Sequence, residues 1–172
     1  MDLTAEDFEF RLATLSDAPI IWSIIQLAIA RRKADGSTQW QNGYPNPDII
    51  SQDIASQQAY VLTANTNIIG YAAVIKDIEP AYDHIEGQWL TDGEYIVIHR
   101  VAVSERYLGK GLATLIFKRI EKLGLEINIH SLKVDTNFDN TPMLRILEKL
   151  DYSYCGIVYF SGAPRRAYEK VI

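Results

Sequence analysis

A single cysteine, Cys155, in 172 residues excludes an internal disulfide and any multi-cysteine zinc or iron–sulfur site. The three histidines, His84, His99 and His130, are scattered, and no pair has metal-ligand spacing, so no metal is expected. Basic residues are the minority: 17 Lys+Arg stand against 22 Asp+Glu, for a net charge of −5 and a pI of about 5.2. A duplex-binding surface needs a basic stripe, and this composition disfavours a nucleic-acid partner. No apolar run approaches the roughly 18–20 residues that cross a bilayer, so no membrane role is expected. The stretch Met1–Phe10 is acidic and mixed, unlike the basic-then-apolar pattern of a signal peptide. Repeats, low-complexity segments and Ser/Gly/Pro-rich linkers are missing too. The expectation is a cytoplasmic protein forming one domain over residues 1–172. Its 48% apolar residues suffice for a core without metal or crosslinks.

What is present reads as alternating strands and helices. Residues 8–12 alternate as a first strand, and Ser16, with Asp17 and Pro19 behind it, reads as a helix cap. Ile20, Ile21, Ile24, Ile25, Ala28 and Ile29 then recur at helical spacing. Asp35–Pro47 is a loop carrying Trp40 and Tyr44, and Asp48–Gln57 reads as a short helix. Tyr60–Thr63 and Ile68–Ile75 are β-rich runs joined by a turn over residues 64–67. Residues 76–93 form an acidic, aromatic excursion with Tyr82, His84 and Trp89. Glu94–Val103 is nearly continuously apolar, which implies a central strand buried on both sides. The following helix is expected to close at Gly124. Ser131–Thr136 is a strand, Asn140 and Pro142 open a helix through Leu150, and strands at Cys155–Phe160 and Ala167–Lys170 finish the chain. This strand–helix order requires at least one parallel pair.

The informative stretch is Val101-Ala-Val-Ser-Glu-Arg106-Tyr-Leu-Gly109-Lys110-Gly111-Leu-Ala113. A buried strand enters a loop with two glycines, and a helix starts at once. Such a bend can aim several backbone N–H groups at one spot beside the positive end of the helix dipole, which suits phosphate oxygens. Arg106 and Lys110 add positive charge. Two known phosphate loops do not fit. An ATP-type P-loop needs Ser or Thr after its lysine, and Lys110 is followed by Gly111. A dinucleotide fingerprint needs a third glycine, and that position is Thr114.

Arg106-x-x-Gly109-x-Gly111-x-Ala113 after a Val-Ala-Val strand resembles the acetyl-CoA motif of the GNAT N-acetyltransferase superfamily. Downstream, Asn140-Thr-Pro-Met-Leu-Arg-Ile-Leu147-Glu-Lys-Leu-Asp151-Tyr152 is similar to the family's Asn-x6-Tyr-Glu-Lys-Leu-Gly-Phe/Tyr segment. The resemblance implies a mixed α/β fold. Its central twisted sheet would have six to seven mostly antiparallel strands, a splayed parallel pair at the acetyl-CoA site and about four helices. It also implies that the backbone of Val101, Ala102 and Val103 pairs with pantetheine as an added strand. The amides of Leu108, Gly109, Lys110, Gly111, Leu112 and Ala113 would hold the pyrophosphate. Asn140 matches the family asparagine that contacts the cofactor, and it also reads as an ordinary helix N-cap.

The implied reaction is acetyl transfer from acetyl-CoA to an amine by direct attack. An alkylammonium of pKa ~10.4 loses its proton at pH 7 at a cost of roughly 4.6 kcal/mol, so a base is useful. His99 is the candidate: a two-residue strand period puts it on the face of Val101, and imidazole titrates near neutrality. A purely structural histidine fits as well. Glu94 and Glu79 are weaker candidates. The family tyrosine that protonates the departing thiolate falls at Leu147, which carries no proton, and the family glycine falls at Asp151. Tyr152, Tyr154 or Tyr159 are alternatives for that acid. An acyl-cysteine intermediate on Cys155 is disfavoured, because no histidine is near it in sequence.

Trp40, Tyr44, Tyr82 and Trp89, with His84, occupy the segments that roof the acceptor pocket in this family. There they either stack on the amine or only anchor loops. Asp77, Glu79, Asp83 or Glu86 would attract a cationic acceptor. The acceptor would be a small-molecule, peptide or protein amine, and a homodimer paired through the C-terminal strands is compatible with the resemblance. A competing function is an acyl-CoA-binding sensor that kept the loop and lost turnover, motivated by Leu147.

Overall fold

A computed structural model describes residues 8–172. The eight strands found there are β1 (Phe8–Leu12), β2 (Ala59–Ala64), β3 (Asn67–Ile75), β4 (Glu86–Gly87), β5 (Ile96–Val103), β6 (Ser131–Thr136), β7 (Ser153–Phe160) and β8 (Ala163–Val171). The four α-helices are α1 (Ala18–Ala34), α2 (Pro47–Ala55), α3 (Leu112–Glu126) and α4 (Thr141–Lys149). The strands form one mixed sheet in the order β1-β2-β3-β5-β6-β8-β7-β4. It has one strand more than expected, the two-residue β4 within the acidic excursion, which is too short to leave an alternation pattern. Residues 1–7 of the acidic N-terminal stretch lie outside the described residues.

Two compact units make up the chain, one from residues up to Ala73 with Arg100–Arg119, the other from Val74–His99 with Ile120–Ile172. In the first, β1, β2 and β3 are antiparallel neighbours. Its core gathers Ile21, Ile24, Ile25 and Ala28 of α1 with Ile50 and Ile54 of α2, Val61, Tyr71 and Ala102. The isoleucines expected at helical spacing are therefore the buried stripe of α1. The start of that helix differs from expectation. Ser16 lies inside a 3-10 turn, Leu15–Asp17. The Asp17 carboxylate accepts from the Thr14 N–H at 2.8 Å and from Arg11 Nη1 at 2.8 Å. Hydrogen bonding from Arg11 holds the Asp17 carboxyl down at about 2.

In the second unit, β5 and β6 are parallel through Ile96–Leu132, Val97–Lys133 and Ile98–Val134. β6–β8, β8–β7 and β7–β4 are antiparallel. Tyr82, Val97, Val158 and Ala167 form its core cluster, with Trp89, Tyr95 and Phe160 packed around them. Gly124 does not end α3, which runs on to Glu126. A Cβ at Gly124 would lie 2.8 Å from the Ile129 carbonyl oxygen and 2.9 Å from Ile172 Cδ1. Close approach of the following backbone, not helix termination, explains this glycine.

Candidate active site

The bend between β5 and α3 is pinned at its entry, where the Ser104 N–H donates to the Ile69 carbonyl at 2.8 Å. A 3-10 turn over Glu105–Tyr107 follows. Gly109 and Gly111 then take φ of 74° and 76°, a conformation that costs a residue with a Cβ about 1 kcal/mol or more. A Cβ at either would meet nothing within 4 Å, so the backbone angle is what requires glycine.

The fate of the amides follows from this path. Leu108 and Lys110 donate within the loop, to the Glu105 and Tyr107 carbonyls, each at 3.3 Å. The N–H groups of Gly109, Gly111, Leu112, Ala113 and Thr114 have no acceptor among the described residues. The first turn of a helix offers them none. The donors open to an anion are therefore these five, which adds Thr114 to the expected cradle and turns Leu108 and Lys110 inward. Arg106, Gly109, Lys110 and Gly111 are exposed, and the Lys110 ammonium lies 5.2 Å over the Tyr107 ring. Glu105 is the one carboxylate in the bend. Arg31 of α1 meets it at 3.3 Å and also donates to the Val103 carbonyl at 3.4 Å. The bend is thus left with net positive potential inside an acidic protein.

Within β5, Val101 is half-buried and Ala102 and Val103 are buried. The strand is not regular there: Arg100 has φ of 55°, and past Ile98 no further β5–β6 register pair follows among the described residues. The same-face relation of His99 and Val101 assumed an unbroken two-residue period, and Arg100 interrupts it. Arg100 is only 8% exposed. Its Nε and Nη2 donate to the two oxygens of buried Asp53 at 2.9 and 2.6 Å, and Tyr71 donates its hydroxyl hydrogen to the same carboxylate at 2.5 Å. The remaining nitrogen, Nη1, donates to the Tyr44 hydroxyl oxygen at 2.5 Å. Burial opposes the guanidinium charge, but Tyr44 and Asp53 outweigh it and raise the Arg100 pKa. Burial, reinforced by Asp53, pushes the Tyr71 phenol up.

His99 lies between two carboxylates in the second unit. Its Nε2 is 3.4 Å from Glu79 Oε2 and its Nδ1 is 3.7 Å from Asp135 Oδ1. Glu79 sits at the start of the 3-10 turn Pro80–His84, where its side chain also accepts from the Ala81 N–H at 3.3 Å. The Tyr95 hydroxyl oxygen accepts from the Glu79 N–H at 3.1 Å. Asp135, on β6, accepts from the Tyr82 hydroxyl at 2.7 Å, and Arg165 Nη1 lies 4.0 Å from its other oxygen. The imidazole ring also meets Phe160 edge-on at 6.0 Å between centroids. Sequence reasoning missed Asp135, because only the β5–β6 pairing brings it beside His99.

The expected aromatic roof divides. Tyr82 is 2% exposed with its hydroxyl committed to Asp135; burial, reinforced by Asp135, drives its phenol pKa well up. Trp89 donates its ring N–H to the Tyr82 carbonyl at 2.9 Å. Both pack within the core of their unit. Trp40 is half-buried against the α1–α2 core at φ of 63°, and Tyr44 is 37% exposed in the same loop. Asn140 caps α4, accepting from the Met143 N–H at 3.4 Å.

Other polar groups fix the frame. Glu169, fully buried, accepts from the Leu90 N–H at 2.6 Å, from the Thr91 hydroxyl and from the Ser131 hydroxyl at 2.7 Å. Beside it the Lys133 ammonium lies 4.4 Å from the Trp89 ring centroid and 4.0 Å from that of Tyr95. These contacts hold down residues 89–95. Leu147 is fully buried in α4. Of the alternative phenols, Tyr152 is pushed up by burial, Tyr154 meets Tyr168 edge-on, and Tyr159 donates to Glu86 at 3.0 Å. Burial raises the Cys155 thiol as well, which opposes a thiolate nucleophile. Among the described residues no group of three His, Cys, Asp or Glu could hold a metal ion. No helix there is long and apolar enough to cross a membrane.

Comparison with known proteins agrees with this fold. A GNAT-family acetyltransferase from Streptococcus agalactiae is 36% identical, with 99% of each chain covered and a TM-score of 0.89. A GNAT-family acetyltransferase from Listeria monocytogenes has the same fold at 20% identity, covering 96% of this chain and 95% of its own, with a TM-score of 0.78. The Salmonella typhimurium protein yncA, solved with its cofactor acetyl-CoA, matches at 15% identity, 96% and 94% coverage and a TM-score of 0.68. No curated protein matches the sequence. The Acetyltransferase (GNAT) family model matches residues 28–152. With most of its length matched by that model and a 36% identical GNAT relative covered end to end, this chain belongs to the GNAT acetyltransferase family.

Proposed function

We propose that the protein transfers the acetyl group of acetyl-CoA to a primary amine by direct attack in a ternary complex. The observation that carries this reading is the His99 imidazole set between the Glu79 and Asp135 carboxylates. Both carboxylates face the ring that would take up the amine proton. Glu79, nearest Nε2, suits the positive charge of an arriving ammonium.

The diphosphate of acetyl-CoA would accept from Gly109, Gly111, Leu112, Ala113 and Thr114, with Arg106 and Lys110 beside it. The pantetheine arm would run back along the backbone of Val103, Ala102 and Val101, and Asn140, matched to the family asparagine, is the further proposed cofactor contact. That direction brings the thioester end along β5 toward His99. The amine lone pair then attacks the carbonyl carbon, His99 takes the amine proton, and the C–S bond breaks with its pair on sulfur. A thiol of pKa ~8.5 leaves tolerably as thiolate near neutrality, and a general acid adds only about 10²–10⁴-fold. Tyr44 and Trp40 belong to the acceptor side. Tyr82 and Trp89 act through packing within the second unit, Tyr82 also by its hydrogen bond to Asp135.

A second reading, an acyl-CoA sensor without turnover, is favoured by one observation: fully buried Leu147 stands where the family keeps its acid. Free-thiol release from acetyl-CoA, measured across small amines, peptide N-termini and lysine side chains, decides between them. Amine-dependent release above background supports transfer, whereas tight binding of acetyl-CoA with no release from any acceptor supports the sensor.

A further inference from the structure

We infer that Arg100 is a positioning residue for the acyl end of the cofactor: its ion pair with Asp53 holds β5 in the left-handed bend that sets the strand edge. This rests on the acetyl-CoA reading of the preceding section.

Three observations meet at this residue. The bend is a backbone conformation that residues with a Cβ avoid, and Arg100 holds it at φ of 55° in the middle of a strand. Its position is not arbitrary. The last β5–β6 register pair is Ile98–Val134, and Val101 begins the stretch read as the pantetheine edge. Finally, the side chain is anchored on every donor that faces a partner. Asp53 of α2 takes two nitrogens, Tyr71 of β3 locks that carboxylate, and Nη1 donates to Tyr44.

A buried ion pair is weak evidence for stability, since well-packed apolar side chains commonly do as well or better. Its distinctive property is geometric. A two-pronged guanidinium–carboxylate fork fixes direction as well as distance, and lysine cannot reproduce it. Here that fork fixes a strained residue next to the strand edge on which the thioester is read to lie. Positioning, not adhesion, accounts for charge in this place.

The test compares two probes by calorimetry. ADP carries a diphosphate for the glycine bend but no arm along β5, whereas acetyl-CoA uses both. In the Asp53→Asn variant, ADP affinity should stay within about twofold of wild type. Acetyl-CoA affinity should fall about tenfold, with kcat reduced. Arg100→Lys should behave like Asp53→Asn. Arg100→Lys keeps the charge and loses the two-pronged fork, so it carries the test if Asp53→Asn fails to fold. Equal loss for both probes, or no loss for either, overturns the inference. Wild-type protein that binds neither probe overturns the acetyl-CoA reading instead.

Discussion

The two ring nitrogens of His99 face two different carboxylates, Nδ1 that of Asp135 and Nε2 that of Glu79. Nδ1 lies 3.7 Å from Asp135 Oδ1, and that side chain is almost wholly buried, while Nε2 faces the more exposed Glu79 at 3.4 Å. A carboxylate facing each ring nitrogen is an arrangement suited to a side chain that takes up and passes on one proton. His99→Ala should lower kcat/KM for the amine about 10²-fold or more and leave acetyl-CoA affinity within twofold. Asp135→Asn should lower kcat without raising the amine KM, because it acts through the ring. Unchanged turnover in His99→Ala would remove His99 from the reaction.

At Gly111 the φ of 76° excludes a β-branched residue more strongly than space does, since a Cβ there meets nothing within 4 Å. Gly111→Val should therefore lower the melting temperature through backbone strain while the protein still folds, and weaken acetyl-CoA at least tenfold in calorimetry. Retained affinity would show that the bend does not hold the diphosphate.

Acid stability follows from Asp17. Its carboxyl is held at about 2, against ~3.9 for a free aspartate, first by the hydrogen bond from Arg11. A depressed carboxyl contributes stability that is present above the unfolded value and lost as pH falls through the folded one. The loss thus falls between about pH 4 and pH 2. With Arg11 partly solvated, the contribution is about 1–2 kcal/mol. Urea titrations of Asp17→Asn should show that deficit at pH 7 and a shallower decline in acid. Equal pH dependence of both proteins would contradict the assignment.

Gly124 inverts an ordinary rule. Replacing glycine by alanine inside a helix usually stabilises by up to about 1 kcal/mol. Here the new Cβ would meet the Ile129 carbonyl oxygen at 2.8 Å, so Gly124→Ala should instead destabilise by about 1–3 kcal/mol. A raised melting temperature would refute the close-approach explanation.

The same residue shows where sequence stops being informative. A glycine near the end of a periodic helix carries a local signature, and the contact that explains Gly124 comes from residues beyond the helix. What was legible is local: the isoleucine stripe of α1, the Asn140 cap, the strand Ser131–Thr136, and the two glycines behind a nearly continuous apolar strand. What was not legible depends on distant partners. Asp135 meets His99 through strand pairing, Arg100 finds Asp53 from α2, and Glu169 clasps residues 90–91 from β8. The Ser16 cap failed for a related reason, since Arg11 and Thr14 claim Asp17 and shift the helix start. β4 is too short for any pattern to declare it.

The most direct test is a crystal structure of the protein with acetyl-CoA. The account predicts diphosphate oxygens within hydrogen-bond distance of the Gly109, Gly111, Leu112, Ala113 and Thr114 nitrogens, with the arm beside Val101–Val103. Diphosphate density elsewhere, or none at millimolar acetyl-CoA, would contradict it.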